Sequence, residues 1–260
     1  MGETRHDEWE SLGSTFVDHY GSLRGMVRTH VVDAHLRDHL APPPLRIVDI
    51  GGGAGHQRLP LARRGYEVTI VDPSPAMLDR AVQSLAREEP HVADRVQLVE
   101  ASGEEALQVV GGGFGCVLCH GVLMYLDDPE PLVNSLCRLI APGGILSIVA
   151  KNVEVMALRH AHEGNWAAAI AAFDSDRQIN GLGAETRGDH VSHIEELLSV
   201  RGVRVEEWCG VRLFTDGWNQ ERPPTDDMDL VLQAELLASR RDPYRRLSRL
   251  FHVIGRSSPP

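Results

Sequence analysis

The sequence predicts an α/β fold in which a seven-stranded, mostly parallel sheet is covered by helices on both faces. Three observations carry this. Seven short, near-continuous apolar runs alternate with helical segments, as strands buried on both faces do. The first run closes on a glycine loop, Asp49-Ile50-Gly51-Gly52-Gly53-Ala54-Gly55. The second run ends in an acid, Asp72. Strand, glycine turn, helix, strand and acid together make a nucleotide-binding βαβ unit. Glycine admits positive φ and close approach of a ligand to the backbone, and the acid can accept hydrogen bonds from both ribose hydroxyls.

Each element has its own signal. Residues 5–40 read as helical, with apolar positions at mixed three- and four-residue spacing and a joint near Tyr20-Gly21-Ser22. Pro42-Pro43-Pro44 ends that segment, since consecutive prolines cannot continue a helix. The strands are expected at 45–50, 67–72, 96–100, 114–120, 145–150, 203–208 and 250–255. Helices are expected around 59–64, after Ser74-Pro75 (an N-cap followed by a first-turn proline), at 192–199 and at 225–240. After strand five comes a helical stretch, 153–173, broken at Gly164, and then a polar stretch, 174–188, read as a mobile lid. The tail, 257–260, is expected to be disordered. The whole is a Rossmann-like sheet with an N-terminal helical segment and a lid insertion after strand five.

Composition narrows the class. With 260 residues and 42% apolar content, one domain with an insertion is expected rather than two. No apolar run reaches membrane-spanning length, residues 1–8 are too polar for a signal peptide, and the cytoplasm is the expected compartment. Four cysteines do not suggest a secreted disulfide framework. Cys116 and Cys119, in one strand, point to opposite faces, so no metal is expected. A net charge of −11 disfavours nucleic-acid binding by the whole surface. The balance is uneven, because Arg240, Arg241, Arg245, Arg246, Arg249 and Arg256 oppose only Asp242 near the C-terminus, while Lys151 is the only lysine. A solvated face is the plain reading of that run.

Spacing in the glycine loop selects the ligand. A dinucleotide fingerprint needs a third small residue, and here His56 or Arg58 falls at that position. An NAD-dependent oxidoreductase is therefore the last choice, and no Gly-Lys-Ser/Thr follows to make a P-loop. The compressed G-x-G-x-G form suits a nucleoside without a pyrophosphate.

At this point the chain resembles the class I S-adenosylmethionine-dependent methyltransferases. Asp49 to Gly55 is similar to their first motif, and four blocks follow in family order: Val71 to Leu78, Ala101 to Glu105, Cys119 to Tyr125, and Leu139 to Gly144. The resemblance implies S-adenosyl-L-methionine as cofactor and S-adenosyl-L-homocysteine as product. Gly51, Gly52, Gly53 and Gly55 would hold the methionine moiety, with Asp49 orienting the loop. Asp72, with Pro73 and Met77 beside it, would take the ribose. Gly103 and Glu104 or Glu105 would hold adenine, and His120 would face the crevice. A satisfied, partly buried histidine is the alternative for His120. Positioning and exclusion of water would be the main catalytic devices.

The outer segments are similar to the tRNA 5-carboxymethoxyuridine carboxyl methyltransferases. The matching residues are Phe16, Tyr20-Gly21, Gly25 to Arg28, Asn152, Gly164-Asn165-Trp166, Gly210 to Asp216, Asp242-Pro243-Tyr244 and Phe251-His252-Val253. The resemblance implies that Arg28 reaches the cofactor carboxylate and that the acceptor is itself a carboxylate. Arg212, Tyr125, Asn152 and Tyr244 become candidate acceptor-binding residues. For Arg212, an acceptor clamp and a structural ion pair are both open. The expected partner is a tRNA anticodon loop or a small carboxylic acid, with no membrane; a small-molecule methyltransferase and a non-enzymatic cofactor-binding protein are the alternatives. Residues 1–44 would form a helical cap, 45–150 the cofactor half and 151–260 the substrate half.

Overall fold

The computed structural model describes residues 22–55, 58–180, 183–218 and 226–259. The expected helix around Trp9, Leu12 and Phe16, and the positions Tyr20, Gly21 and His56, lie outside them. Helix α1 (Leu23–His39) opens on Ser22, whose hydroxyl accepts from Gly25 N. Gly25 therefore sits inside the first turn and does not break the helix.

Next in chain order come β1 (Arg46–Ile50), α2 (Leu59–Arg63), β2 (Glu67–Asp72) and α3 (Pro75–Leu85). As expected, Ser74 caps α3 and accepts from Met77 N. Two short helices, α4 (Pro90–Ala93) and α5 (Ala106–Val110), flank β3 (Val96–Glu100) and carry too few turns to leave a periodic signal. They are followed by β4 (Phe114–His120), α6 (Glu130–Leu139) and β5 (Ile140–Lys151). The Pro142-Gly143-Gly144 turn expected ahead of β5 is a register irregularity within it, between the pairs Phe114–Ile140 and Cys116–Ile145.

The segment after β5 is more ordered than its polarity suggests. Gly164, with φ +74°, separates α7 (Met156–His162) from α8 (Trp166–Ala171). The expected lid contains a hairpin, β6 (Arg177–Ile179) with β7 (Glu185–Arg187). It is anchored at both ends: Arg177 pairs with Asp127 and Glu185, and Arg187 Nε donates to Leu126 O. The chain ends with α9 (Val191–Ser199), β8 (Val203–Val211), α10 (Met228–Ser239) and β9 (Leu250–Ser257). Both last strands run longer than expected, and Ser258 N donates to Gly202 O, so the tail up to Ser258 is held.

The sheet order is β3-β2-β1-β4-β5-β9-β8, with β9 antiparallel to both neighbours. Alternating strand residues divide the core. Val48, Val117, Cys119 and Ile148 pack under α6 and α9, while Ile47, Cys116, Leu118 and Ile70 pack under α1, α2 and α3. The two cysteines thus face opposite sides, as their spacing requires. Leu23, Val27 and Val31 of α1 join Val149, Val211 and Leu250 in a third cluster. Because β1 lies between β2 and β4, its connections diverge there and open a crevice at the carboxyl ends of the strands.

Candidate functional site

The glycine loop lies at that crevice. Gly51 N donates to Val71 O at 2.8 Å, and Gly51 and Gly53 have φ of +69° and +53°. A side chain at Gly51 would place its Cβ 2.4 Å from Val122, so this turn needs glycine both for conformation and for space. Gly53 N donates to Asp72 Oδ2 at 2.8 Å, and Ser74 N donates to Asp72 Oδ1 at 2.9 Å. Each oxygen of Asp72 thus accepts one backbone hydrogen bond, which fixes the carboxylate. The Met77 methyl lies 2.8 Å from where a Gly53 Cβ would sit. The fold therefore brings Gly51 to Gly55, Asp72, Pro73 and Met77 together. Gly103 is wedged against Leu132 and Ile50, and its carbonyl accepts from Ser135 Oγ. Glu104 and Glu105 are both exposed. Glu105 accepts from Ser102 Oγ and N, which holds its carboxyl below the usual range.

Two expected roles are revised here. Among the described residues, Asp49 makes no hydrogen bond to the glycine loop. Its carboxylate takes a bidentate pair from Arg58 Nε and Nη2, with both side chains almost wholly buried. Burial lifts the Asp49 carboxyl above its usual range, and Arg58 draws it back. His120 does not present its ring to the crevice. Its Nδ1 lies 3.1 Å from Arg58 Nη2, and its Nε2 lies 2.7 Å from Ser147 Oγ. Arg58 can only donate, so His120 carries its proton on Nε2 and donates to Ser147. Ser147 in turn donates to His252 Nε2 at 2.7 Å. Burial pushes both histidines well below 6.5, which keeps them neutral. Arg58, Ser147 and His252 were not anticipated as a unit. The one available hint was Arg58 at the position where a dinucleotide fingerprint needs a small residue.

Arg28 Nη2 donates to His120 O at 2.9 Å, beside Gly121. It therefore reaches the crevice from α1, close to Val122 and the glycine loop. One helical turn earlier on the same face, Arg24 Nη2 donates to Asp216 O and Trp218 O.

Arg24 belongs to a second cluster, built around the carboxyl end of β5. Lys151, Arg24, Arg212 and Arg249 are all buried, at 3%, 5%, 8% and 7% exposure, and Arg159 of α7 approaches them. Asp216 accepts from Arg212 Nη2 at 2.6 Å and is held below its usual range, against its burial, chiefly by Arg212; Glu163, paired with Arg159, is a second carboxylate that favours the charge of Arg24. Arg212 Nε, Arg24 Nε and Arg249 Nη1 are buried without a hydrogen-bond partner. Burial lowers Arg249 to about 10 and Lys151 to about 7. Arg212 is the one non-glycine residue with positive φ (+62°) among the described residues. Glu235 of α10 holds the turn that follows it, accepting from Leu213 N, Thr215 N and Thr215 Oγ1.

The other acceptor candidates divide. The Asn152 amide is spent on backbone, donating to Arg246 O and Ser248 O and accepting from Glu154 N. It positions the turn leading to Arg249 and offers no amide to a ligand. Tyr244 is surface-exposed, with its ring 6.0 Å from Phe214. Tyr125 follows β4, and its hydroxyl accepts from Asn180 at the β6–β7 hairpin. The arginine run near the C-terminus is largely paired locally. Arg240 pairs with Asp38, Arg245 and Arg246 pair with Asp242, and Arg256 pairs with Glu206.

Residues 48–148 match a family described as "Methyltransferase domain". A tRNA 5-carboxymethoxyuridine methyltransferase of Escherichia coli (strain K12) is 28% identical over 240 residues, which is 91% of this chain and 90% of that protein. A ubiquinone biosynthesis O-methyltransferase of Methylocella silvestris is 35% identical over 135 residues, half of each chain. In fold, the chain is similar to magnesium protoporphyrin IX methyltransferase from Synechocystis PCC 6803 with bound SAH. That likeness has a TM-score of 0.68 at 16% identity and covers 99% of this chain and 100% of that one.

Proposed function

We propose that this chain, which is an S-adenosylmethionine-dependent methyltransferase, methylates a carboxylate oxygen, with tRNA 5-carboxymethoxyuridine as the leading acceptor. The observation that carries the reading is the surplus of buried positive charge around Lys151, Arg24, Arg212 and Arg249. Buried cations need an anion beside them, and among the described residues Asp216, with Glu163 beside Arg159 and Arg24, balances only part of that charge. A carboxylate entering the cluster meets guanidinium N–H groups that are already desolvated, a geometry that favours bidentate recognition.

The bound cofactor supplies an electrophilic methyl group on a sulfonium. The chain's own residues hold both partners in line with it. Asp72, fixed by Gly53 N and Ser74 N, accepts the ribose hydroxyls. The glycine loop and Arg28 take the methionine end, and Gly103 with Glu104 borders adenine. Arg212 and Arg249 orient the acceptor. A carboxylate is already an anion at neutral pH, so the transfer needs alignment rather than a general base.

The relative at 28% identity supports the nucleoside acceptor. A second reading, a small carboxylic acid, is favoured by the local pairing of the arginine run and by the exposed Asp174 and Asp176 beside the hairpin, since RNA phosphates favour unpaired cations. Transfer of labelled methyl to tRNA containing 5-carboxymethoxyuridine separates the two. Alkali-labile label in the RNA supports the first. No label, with calorimetric cofactor binding intact, removes the tRNA reading.

A further inference from the structure

Lys151 stands apart from every other basic residue of the chain. Of the 26 lysine and arginine positions all but this one are arginine, and this lone lysine ends β5 inside the cationic cluster. Its Nζ donates to Thr186 Oγ1 at 2.6 Å, and that hydroxyl donates onward to Gln178 O. Among the described residues no carboxylate pairs with it. The groups facing it are Arg249 from the turn before β9 and Arg159 from α7, which oppose its charge, and Asp216 from the turn after β8, which favours it. An arginine here would stay charged whatever bound beside it; a buried lysine can lose its proton. A neutral amine still satisfies the Thr186 contact, and it relieves the repulsion from Arg249 and Arg159 when the pocket holds no anion.

We propose that Lys151 is an acceptor-binding residue that takes a proton from solvent as the acceptor carboxylate enters and returns it when the neutral ester leaves. The proposal rests on the carboxylate reading above. In the transfer itself the O–CH3 bond forms and the S–CH3 bond breaks. The carboxylate and sulfonium charges vanish together, leaving an ester and a thioether, with no proton consumed. The product therefore no longer supports the added positive charge in the pocket, and loss of the Lys151 proton returns the site to its resting state. Burial, which pulls Lys151 from 10.5 to about 7, places this exchange within the working pH range.

A single lysine makes the test direct. In the full chain, labelled with [13Cε]lysine and carrying a lysine-free tag, one side-chain resonance reports Lys151 without assignment. Its pH titration would be followed with S-adenosylhomocysteine present, alone and then with 5-carboxymethoxyuridine 5′-monophosphate or citrate. The expected midpoint lies near neutrality and rises by about one pH unit or more with an anion, as an opposite charge within reach requires. A free midpoint near 10, or a midpoint unmoved by both anions, overturns the proposal. A rise with citrate but not with the nucleotide keeps Lys151 in its role and removes the nucleoside reading. In turnover assays Lys151→Arg should flatten the pH dependence of the acceptor KM while leaving cofactor affinity unchanged. An unchanged pH profile in that variant assigns Lys151 a structural role only.

Discussion

Arg58→Met strands a buried carboxylate. The side chains of Arg58 and Asp49 are 4% and 3% exposed and share two hydrogen bonds. Removing one partner of such a pair costs about 3–5 kcal/mol, because the remaining charge is left uncompensated. His120 Nδ1 also loses its donor, which adds about 1 kcal/mol. For a chain of this size the sum, about 4–6 kcal/mol, lowers Tm by roughly 10–20 °C. The pH dependence has a definite sign. Without Arg58, the Asp49 carboxyl moves further above its usual range. Its ionised form then penalises the folded state, and the penalty grows as pH rises through the shifted pKa. Urea unfolding of Arg58→Met should therefore show a smaller loss at pH 5 than at pH 8. Asp49→Asn with Arg58→Met should cost about 3 kcal/mol less than the two single losses added together. A loss under about 1 kcal/mol for Arg58→Met, or strict additivity in the double variant, refutes the idea that Arg58 compensates the buried Asp49 charge.

Glu235→Ala leaves the buried Thr215 N and the half-buried Leu213 N without their acceptor, at a cost of about 1–3 kcal/mol for Thr215 N. Acceptor turnover should fall at least tenfold while calorimetric cofactor affinity stays within twofold, and equal losses in both would contradict a role confined to the Arg212 turn. Asp72→Ala removes the acceptor of Gly53 N and Ser74 N and should weaken cofactor binding by about 2–3 kcal/mol, tens- to a hundredfold; unchanged affinity in calorimetry would count against the ribose assignment. The neutral buried His35, His120 and His252 are all shifted down, His35 to about 4. The unfolded chain therefore binds more protons below pH 6.5, and stability is lost as pH falls, by about 2 kcal/mol at pH 5 for His35 alone. Replacing His252 with Gln should make that decline shallower by about one proton, and an identical slope would mean that other groups drive it.

The glycine turn and the strand ends around it were legible in the sequence because their requirements are local. A glycine at φ +69° with no room for a Cβ leaves its mark in the residue type itself. The same holds for a carboxylate one residue before Pro73, and for Ser74 as the cap of α3. Strand alternation likewise assigned Cys116 and Cys119 to opposite faces, since period two is set by the backbone alone. Partnerships between distant segments were not legible. Arg58 joins Asp49 to His120, Ser147 and His252 across four strands or turns that pattern cannot register. Asn152, matched as a ligand residue, proves to hold the 246–248 backbone. The hairpin within 174–188 has strands of only three residues, too short for periodicity, and contacts with Asp127, Leu126, Tyr125 and Lys151, distant in sequence, hold it. Sequence by itself determined the fold class, the cofactor and the position of the glycine turn, because short-range geometry dictates those residue types. Only the tertiary structure decided which charges are buried together, because burial and pairing depend on which segments the sheet brings side by side.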